Sequence, residues 1–279
     1  MRVHLITFSE GSERYRDAGR RVISQARRIK EIDLSEHLTA KDLDIEYFKL
    51  FHNFPERYPT GYGLYSWKPY LVNKKLNDIN TGDILIYIDA GCELNRFGSK
   101  KFSDYLNLLR DKPAIFFKLP YLQSEWSKDS DILCPKDMRN SMYQISATVF
   151  LMRKCDETLS LIDNWLRVCA NNDGDLLKDP VTQQPSSYRS HRHDQSCLTI
   201  CINEDDFYVL NDRETWDCDP RRLKAMPFLA FRNRTGRSKI YRLFKFPLNL
   251  YFFFEGYLEY ISRNLFLKVN NYVKQTSSD

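Results

Sequence analysis

The chain has 279 residues, 42% of them hydrophobic and 14% aromatic, with 10 glycines and 11 prolines. That length supports one large core, or one core with an appendage, and the low glycine and proline content excludes long disordered linkers. Of the 42 bases and 37 acids, residues 230–279 hold nine and three, so the rest of the chain is slightly acidic; this excludes a nucleic-acid groove over the main body and leaves a local electrostatic partner for the tail.

The opening, MRVHLITFSEG, has too short an apolar run for a signal peptide and no small-residue cleavage site. It reads as the first buried strand of a cytosolic domain, followed by a polar loop. Residues 18–32, AGRRVISQARRIKEI, place Val22, Ile23, Ala26 and Ile29 on one helical face. Residues 45–51, IEYFKLF, alternate and predict a strand. After a loop with Pro and Gly, Pro69 suits the first turn of a helix that carries Tyr70, Leu71, Lys74, Lys75, Leu76 and Ile79. Then ILIYIDAG, residues 84–91, is a continuous apolar run of the kind found in the middle of a parallel sheet. KKFSDYLNLLRDK predicts a helix, PAIFFKLP a strand, and QISATVFLMRK another strand. DETLSLIDNWLRVCANN predicts an amphipathic helix ending at its Asn-Asn, HDQSCLTICIN a short helix, and FYVLN a last strand. This alternation without internal repeat predicts one α/β domain, residues 1–229.

The seven cysteines lack metal-type spacing, and an odd number in a chain with no secretion signal predicts free thiols in a reducing compartment. Residues 230–279 differ from the rest. A basic block precedes dense aromatics, and Asn249, Glu255 and Glu259 interrupt the apolar run too often for a bilayer span. This predicts an amphipathic segment that lies in an anionic membrane interface through residues 232–268. The alternative is a helix packed back on the domain or in a dimer.

Dinucleotide, P-loop, nucleophile-elbow and zinc-protease motifs are all missing. What remains is Asp89 at the end of the most apolar strand, followed by Ala90 and Gly91, which leave room for close approach. Ligands of open α/β sheets bind at carboxyl ends of strands, and a hard cation there takes carboxylate oxygens and substrate phosphates. Glu93 is a candidate second ligand across the turn. The alternative role for Asp89 is a turn-former. In SYRSHRHDQS, His191 and His193 are candidate metal ligands or diphosphate partners. Asp194 is either a helix cap or a general base. In GYGLYSWKPY, Lys68 is a candidate to neutralise a phosphate, and Tyr65 or Trp67 to stack on a base or sugar. The alternative is an aromatic cluster covering the sheet edge.

Taken in order, the first strand with its polar loop, the GYGLYSWKPYLVNKKLNDINTGDILIYIDAGCELN stretch, QISATVFLMRK and HDQSCLTI resemble the GT-A-fold nucleotide-sugar glycosyltransferases of bacterial capsule and O-antigen clusters. DQSCLTI is also similar to the D-Q-D-x-L-N segment of glycogenin-like transferases, with Ser196 at the second acid. The resemblance implies a GT-A-like (Rossmann-like) mixed, mainly parallel sheet flanked by helices. It implies that Thr7, Phe8 and Ser9 hold the nucleotide base and ribose, and that Asp89 opens a D-x-D binding Mn²⁺ or Mg²⁺ on the donor diphosphate. Gly91 stands at the third D-x-D position, so either Glu93 or a histidine completes the site, or Lys68 and arginines replace the metal. For an inverting enzyme Asp194 is the first candidate base, Glu125 and Asp129 come next, and Trp126 is a candidate sugar platform. The implied reaction moves a sugar, galactose or galactofuranose in the first instance, from a UDP-type donor to a glycan or lipid-linked glycan at the cytoplasmic membrane face. The competing readings are a sugar nucleotidyltransferase, for which SEGSER is poor in glycine, and a non-catalytic membrane-associated binding protein.

Overall fold

The computed structural model describes residues 1–217 and 219–238. Cys218 and residues 239–279, and with them most of the expected membrane segment, lie outside the described residues. The strands are β1 (Val3–Phe8), β2 (Leu34–Leu38), β3 (Ile84–Ile88), β4 (Glu93–Leu94), β5 (Ala114–Leu122), β6 (Tyr143–Ile145), β7 (Val149–Arg153), β8 (Tyr208–Asn211) and β9 (Phe228–Leu229). The α-helices are α1 (Glu13–Ala26), α2 (Ile45–Phe51), α3 (Phe54–Arg57), α4 (Gly61–Leu64), α5 (Trp67–Asp78), α6 (Ser99–Asp111), α7 (Gln123–Trp126), α8 (Asp156–Gly174), α9 (His193–Cys201) and α10 (Pro220–Ala225).

Seven strands form one mixed sheet, in the order β2-β1-β3-β7-β5, with β6 continuing the β7 side of β5 and β8 on its other edge. β1 is parallel to β2 and β3, and β8 is parallel to β5, while β7 runs against β3 and β5. Every residue of β1 and β3 is buried, as expected of strands covered on both faces. Their period-2 alternation feeds two cores. Ile6, Phe8, Leu85 and Tyr87 pack with Leu71, Leu76, Ile162 and Trp165 of α5 and α8 on one face. Val3, Leu5, Ile84 and Ile86 pack with Val22, Ala26, Phe102 and Leu109 of α1 and α6 on the other. The result is the α/β architecture expected from the sequence. Its strand directions bring the carboxyl ends of β1, β3, β5 and β8 and the amino end of β7 to one edge of the sheet.

Three local expectations change. Residues 45–51 are helical, not extended: the Asp44 carboxylate accepts the Glu46 N–H at 3.0 Å, and Tyr47 and Phe51, four apart, are buried while Ile45 is 66% exposed. The neighbour of β1 is instead LSEHL, a short, partly exposed edge strand too polar to stand out. QISATVFLMRK is two strands, because Ser146–Thr148 leave the ladder toward the sheet's edge, where the Ser146 N–H still bonds the Phe117 carbonyl. The described cysteines are free thiols. Among the described residues no helix is long and apolar enough to cross a membrane.

Residues 230–238, assigned from composition to the tail, run back over the domain as a strap. Arg21 of α1 is buried beneath it. Its guanidinium donates to the carbonyls of Asn233 (2.9 Å) and Thr235 on the strap, and to those of Ala90 (2.8 Å) and Cys92 (2.7 Å) in the turn after β3. The buried Glu93 carboxylate accepts from Asn233 (2.6 Å), Ser238 (2.5 Å) and Gln25 (3.1 Å), which clamps the same strap from the other side.

Candidate active site

A cavity of about 790 Å³ opens at the edge where the strand ends converge, the expected ligand position in an open α/β sheet. At its floor Lys68, in the first turn of α5, is only 3% exposed. The ammonium lies 2.9 Å from Asp194 Oδ2, 3.3 Å from Asp89 Oδ1 and 3.1 Å from the Ala147 carbonyl oxygen, and 5.2–5.7 Å from the ring centroids of Tyr65, Trp67 and Tyr87. Burial pushes the Lys68 pKa down, but Asp194 and Asp89 outweigh that and leave it raised, so the ammonium keeps its charge. Burial pushes Asp194 up against the opposing pull of Lys68. Asp89 keeps 35% of its side chain exposed toward the cavity. Its Oδ1 also accepts the Tyr87 hydroxyl at 2.5 Å. Burial, with Asp89 beside it, pushes that phenol far up, so it stays a donor.

One wall is aromatic. Phe8 stacks on Trp67 with centroids 3.9 Å apart and a 23° tilt, and Tyr62 and Tyr65 stand beside them. The short element α4, Gly61–Leu64, is not a right-handed turn: it and Tyr65 all have φ between 53° and 86°, a left-handed turn that costs a non-glycine residue about 1–2 kcal/mol each. Two of its five positions are glycine, and the Trp67 indole N–H bonds the Gly61 carbonyl at 2.9 Å, which fixes the turn against the wall. The lining also carries three guanidiniums, Arg192, Arg232 and Arg234. Arg192 stacks over Trp126 at 4.3 Å, and the strap supplies the other two.

Of the residues singled out in the sequence, Phe8, Ser9, Tyr65, Trp67, Lys68, Asp89, Ala90, Gly91, His191, His193 and Asp194 meet at this cavity. Asp194 is no helix cap: α9 starts after Arg192 without a side-chain cap, and the carboxylate meets Lys68. Other expectations are corrected. Thr7 is buried outside the lining, because alternation along β1 turns it from the face that shows Phe8. Glu93 lies beneath the strap and faces Asn233, Ser238 and Gln25, not Asp89. Glu125 and Trp126 also lie outside the lining; Trp126 supports Arg192 from behind, and Asp129 pairs with Arg139.

His191 is a brace. A carbonyl only accepts, so Nε2 carries its proton to the Leu176 oxygen at 2.9 Å, and Nδ1 accepts the Lys128 N–H at 3.1 Å. Burial, then His193 nearby, pushes its pKa down to about 3. His193 gives its Nδ1 proton to the Leu177 carbonyl at 2.8 Å, so in the neutral ring Nε2 carries the lone pair. Sequence reasoning missed Arg192, Arg232, Arg234, Tyr62 and Tyr121 in the lining. Tyr62 and Arg192 lie inside GYGLYSWKPY and SYRSHRHDQS and Tyr121 directly follows PAIFFKLP, whereas the composition of the strap arginines points only to membrane-directed charge.

No family model matches the chain, and no curated protein matches it significantly. Among solved structures it is similar to a glycosyltransferase involved in glycosylation of the major capsid of PBCV-1, at 11% identity and TM-score 0.45, covering 87% of this chain and 97% of that one. It is also similar to mouse xyloside xylosyltransferase 1, at 13% identity and TM-score 0.43, covering 76% and 86%. A third is the galactosyltransferase LgtC in complex with donor and acceptor sugar analogs, at 12% identity and TM-score 0.44, covering 81% and 86%.

Proposed function

We propose that the chain is a glycosyltransferase that moves a sugar from a nucleoside diphosphate donor, UDP-galactose or UDP-galactofuranose in the first instance, to a glycan or lipid-linked glycan acceptor of cell-surface polysaccharide synthesis. One observation carries the reading: a single cavity at the carboxyl ends of the strands joins a stacked aromatic wall, three guanidiniums and a nearly buried carboxylate. Its volume suits a ligand of that size.

In this reading the base and ribose lie against Phe8, Ser9 and Trp67, and Arg232 and Arg234 take the diphosphate, whose planar forks match phosphate oxygens. Asp194 accepts the proton of the acceptor hydroxyl. The acceptor oxygen bonds to the anomeric carbon as the bond from that carbon to the phosphate oxygen breaks, and the nucleoside diphosphate leaves with the electron pair. The guanidiniums meet the charge that grows on it. The rest of the basic, aromatic segment, residues 239–268, would keep the protein on the anionic cytoplasmic membrane face where lipid-linked acceptors reside, as its composition suggests.

The test is nucleoside diphosphate release from a panel of nucleotide sugars, with and without glycan acceptors. Turnover of one donor is expected, and Arg232→Ala with Arg234→Ala should raise its KM by about 10- to 100-fold, as charged hydrogen bonds of this kind imply. No turnover of any donor, or an unchanged KM in the double variant, would count against the reading.

A further inference from the structure

The cation at the floor of this site belongs to the chain itself. A divalent ion of the kind that the resemblance implies needs several hard oxygens at about 2.0–2.6 Å. Asp89 Oδ1, Asp194 Oδ2 and the Ala147 carbonyl oxygen converge here, and all three converge on the Lys68 ammonium. An ion placed among them would meet the lysine side chain itself, whose nitrogen stands 2.9–3.3 Å from all three oxygens. Of the other candidate ligands, His193 offers only its Nε2, a single nitrogen where a hard cation takes oxygens, since its Nδ1 serves the Leu177 carbonyl. Glu93 is buried under the strap, and both ring nitrogens of His191 are used by backbone groups. Among the described residues no group of three or more His, Cys, Asp or Glu is placed to hold a metal ion. The residues present therefore do not fit a divalent ion.

We propose that the Lys68 ammonium is the resident cation of this site, fixing Asp89, Asp194 and the Ala147 carbonyl where a metal would otherwise do so, and that donor binding is independent of Mn²⁺ and Mg²⁺. The second half rests on the glycosyltransferase reading; the first stands on geometry alone. The lysine balances one of the two carboxylates and is itself almost sealed from the cavity, so it fixes the shape of the site. Charge on a leaving diphosphate falls to the guanidiniums of the lining.

The test titrates Mn²⁺ alone into the full-length protein and reads the free ion by electron paramagnetic resonance. Wild-type protein should show no site tighter than about 1 mM. Lys68→Ala, which removes the ammonium and frees three oxygens, should gain one site at least about tenfold tighter than that, and Lys68→Ala with Asp194→Asn should lose it again. A wild-type site tighter than about 1 mM overturns the proposal whether or not the variant folds. A folded Lys68→Ala protein that gains no site overturns it too. In a second arm, UDP, GDP and ADP are bound to wild-type protein in EDTA and in Mn²⁺. Any that binds should do so equally within about twofold, and a larger gain with Mn²⁺ overturns metal independence. If no diphosphate binds, the donor reading of the cavity fails, while the Mn²⁺ arm still decides the role of Lys68.

Discussion

Asp194→Asn is expected to lower kcat about a thousandfold, within the range that a positioned general base contributes, with the donor KM changed little. The substitution keeps the shape of a side chain that is 4% exposed and leaves Lys68 its contacts to Asp89 and Ala147. It removes the one carboxylate that is both nearly buried and on the cavity wall beside the ammonium. Half of a buried pair is lost, so stability should fall by about 3 kcal/mol; circular dichroism identifies a temperature at which the variant is folded for the assay. The pH profile separates a base from a brace. Burial raises the Asp194 pKa above its ordinary value, and Lys68 opposes the shift. Wild-type activity should therefore fall as pH drops through that raised pKa, and the residual activity of Asp194→Asn should lack that limb. Full transfer by a folded Asp194→Asn enzyme would remove the assignment.

Arg21→Met is the second large effect. One guanidinium holds two carbonyls of the turn that carries Asp89–Cys92 and two of the strap that carries Arg232 and Arg234. Methionine fills similar space but leaves those carbonyls unpaired and the buried Glu93 carboxylate without its nearby cation. The expected cost is about 3–5 kcal/mol, which at about 2–4 °C per kcal/mol for a domain of this size lowers Tm by roughly 10 °C. Donor affinity should fall at least about tenfold when measured where the variant is folded, because the strap then positions its arginines poorly. Arg21→Lys should rescue little, since one ammonium cannot serve four carbonyls spread over two segments. An unchanged Tm for Arg21→Met would mean that the strap is held by other contacts.

The legible parts of this protein are those whose signal is local. β1 and β3 are continuous apolar runs, so their burial and the position of Asp89 at a strand end follow from a few residues. SWKP and HRHDQS stood out as dense in functional groups, and the fold brings Lys68 and Asp194 to 2.9 Å. Their pairing was not legible, because 126 positions separate them in sequence and only the closing of α5 and α9 over the sheet joins them. The alternation of IEYFKLF misled because an Asp44 cap and burial of Tyr47 and Phe51 four residues apart favour a helix. Glu93 was read as a ligand of the Asp89 turn because it is near in sequence; one step into β4 turns it to the other side, against a strap that begins 137 positions later. The strap itself was hidden in a run of basic residues whose composition suggested lipid rather than a role in the cavity.

Calorimetric titration of the full-length protein with nucleoside diphosphates, against the matching monophosphates and nucleosides, bears most directly on the cavity as a donor site. One diphosphate should bind with one equivalent per chain, at least about tenfold tighter than its monophosphate, and Arg232→Ala with Arg234→Ala should erase that preference. A folded protein that binds no nucleoside diphosphate, or binds the monophosphate equally well, would contradict it.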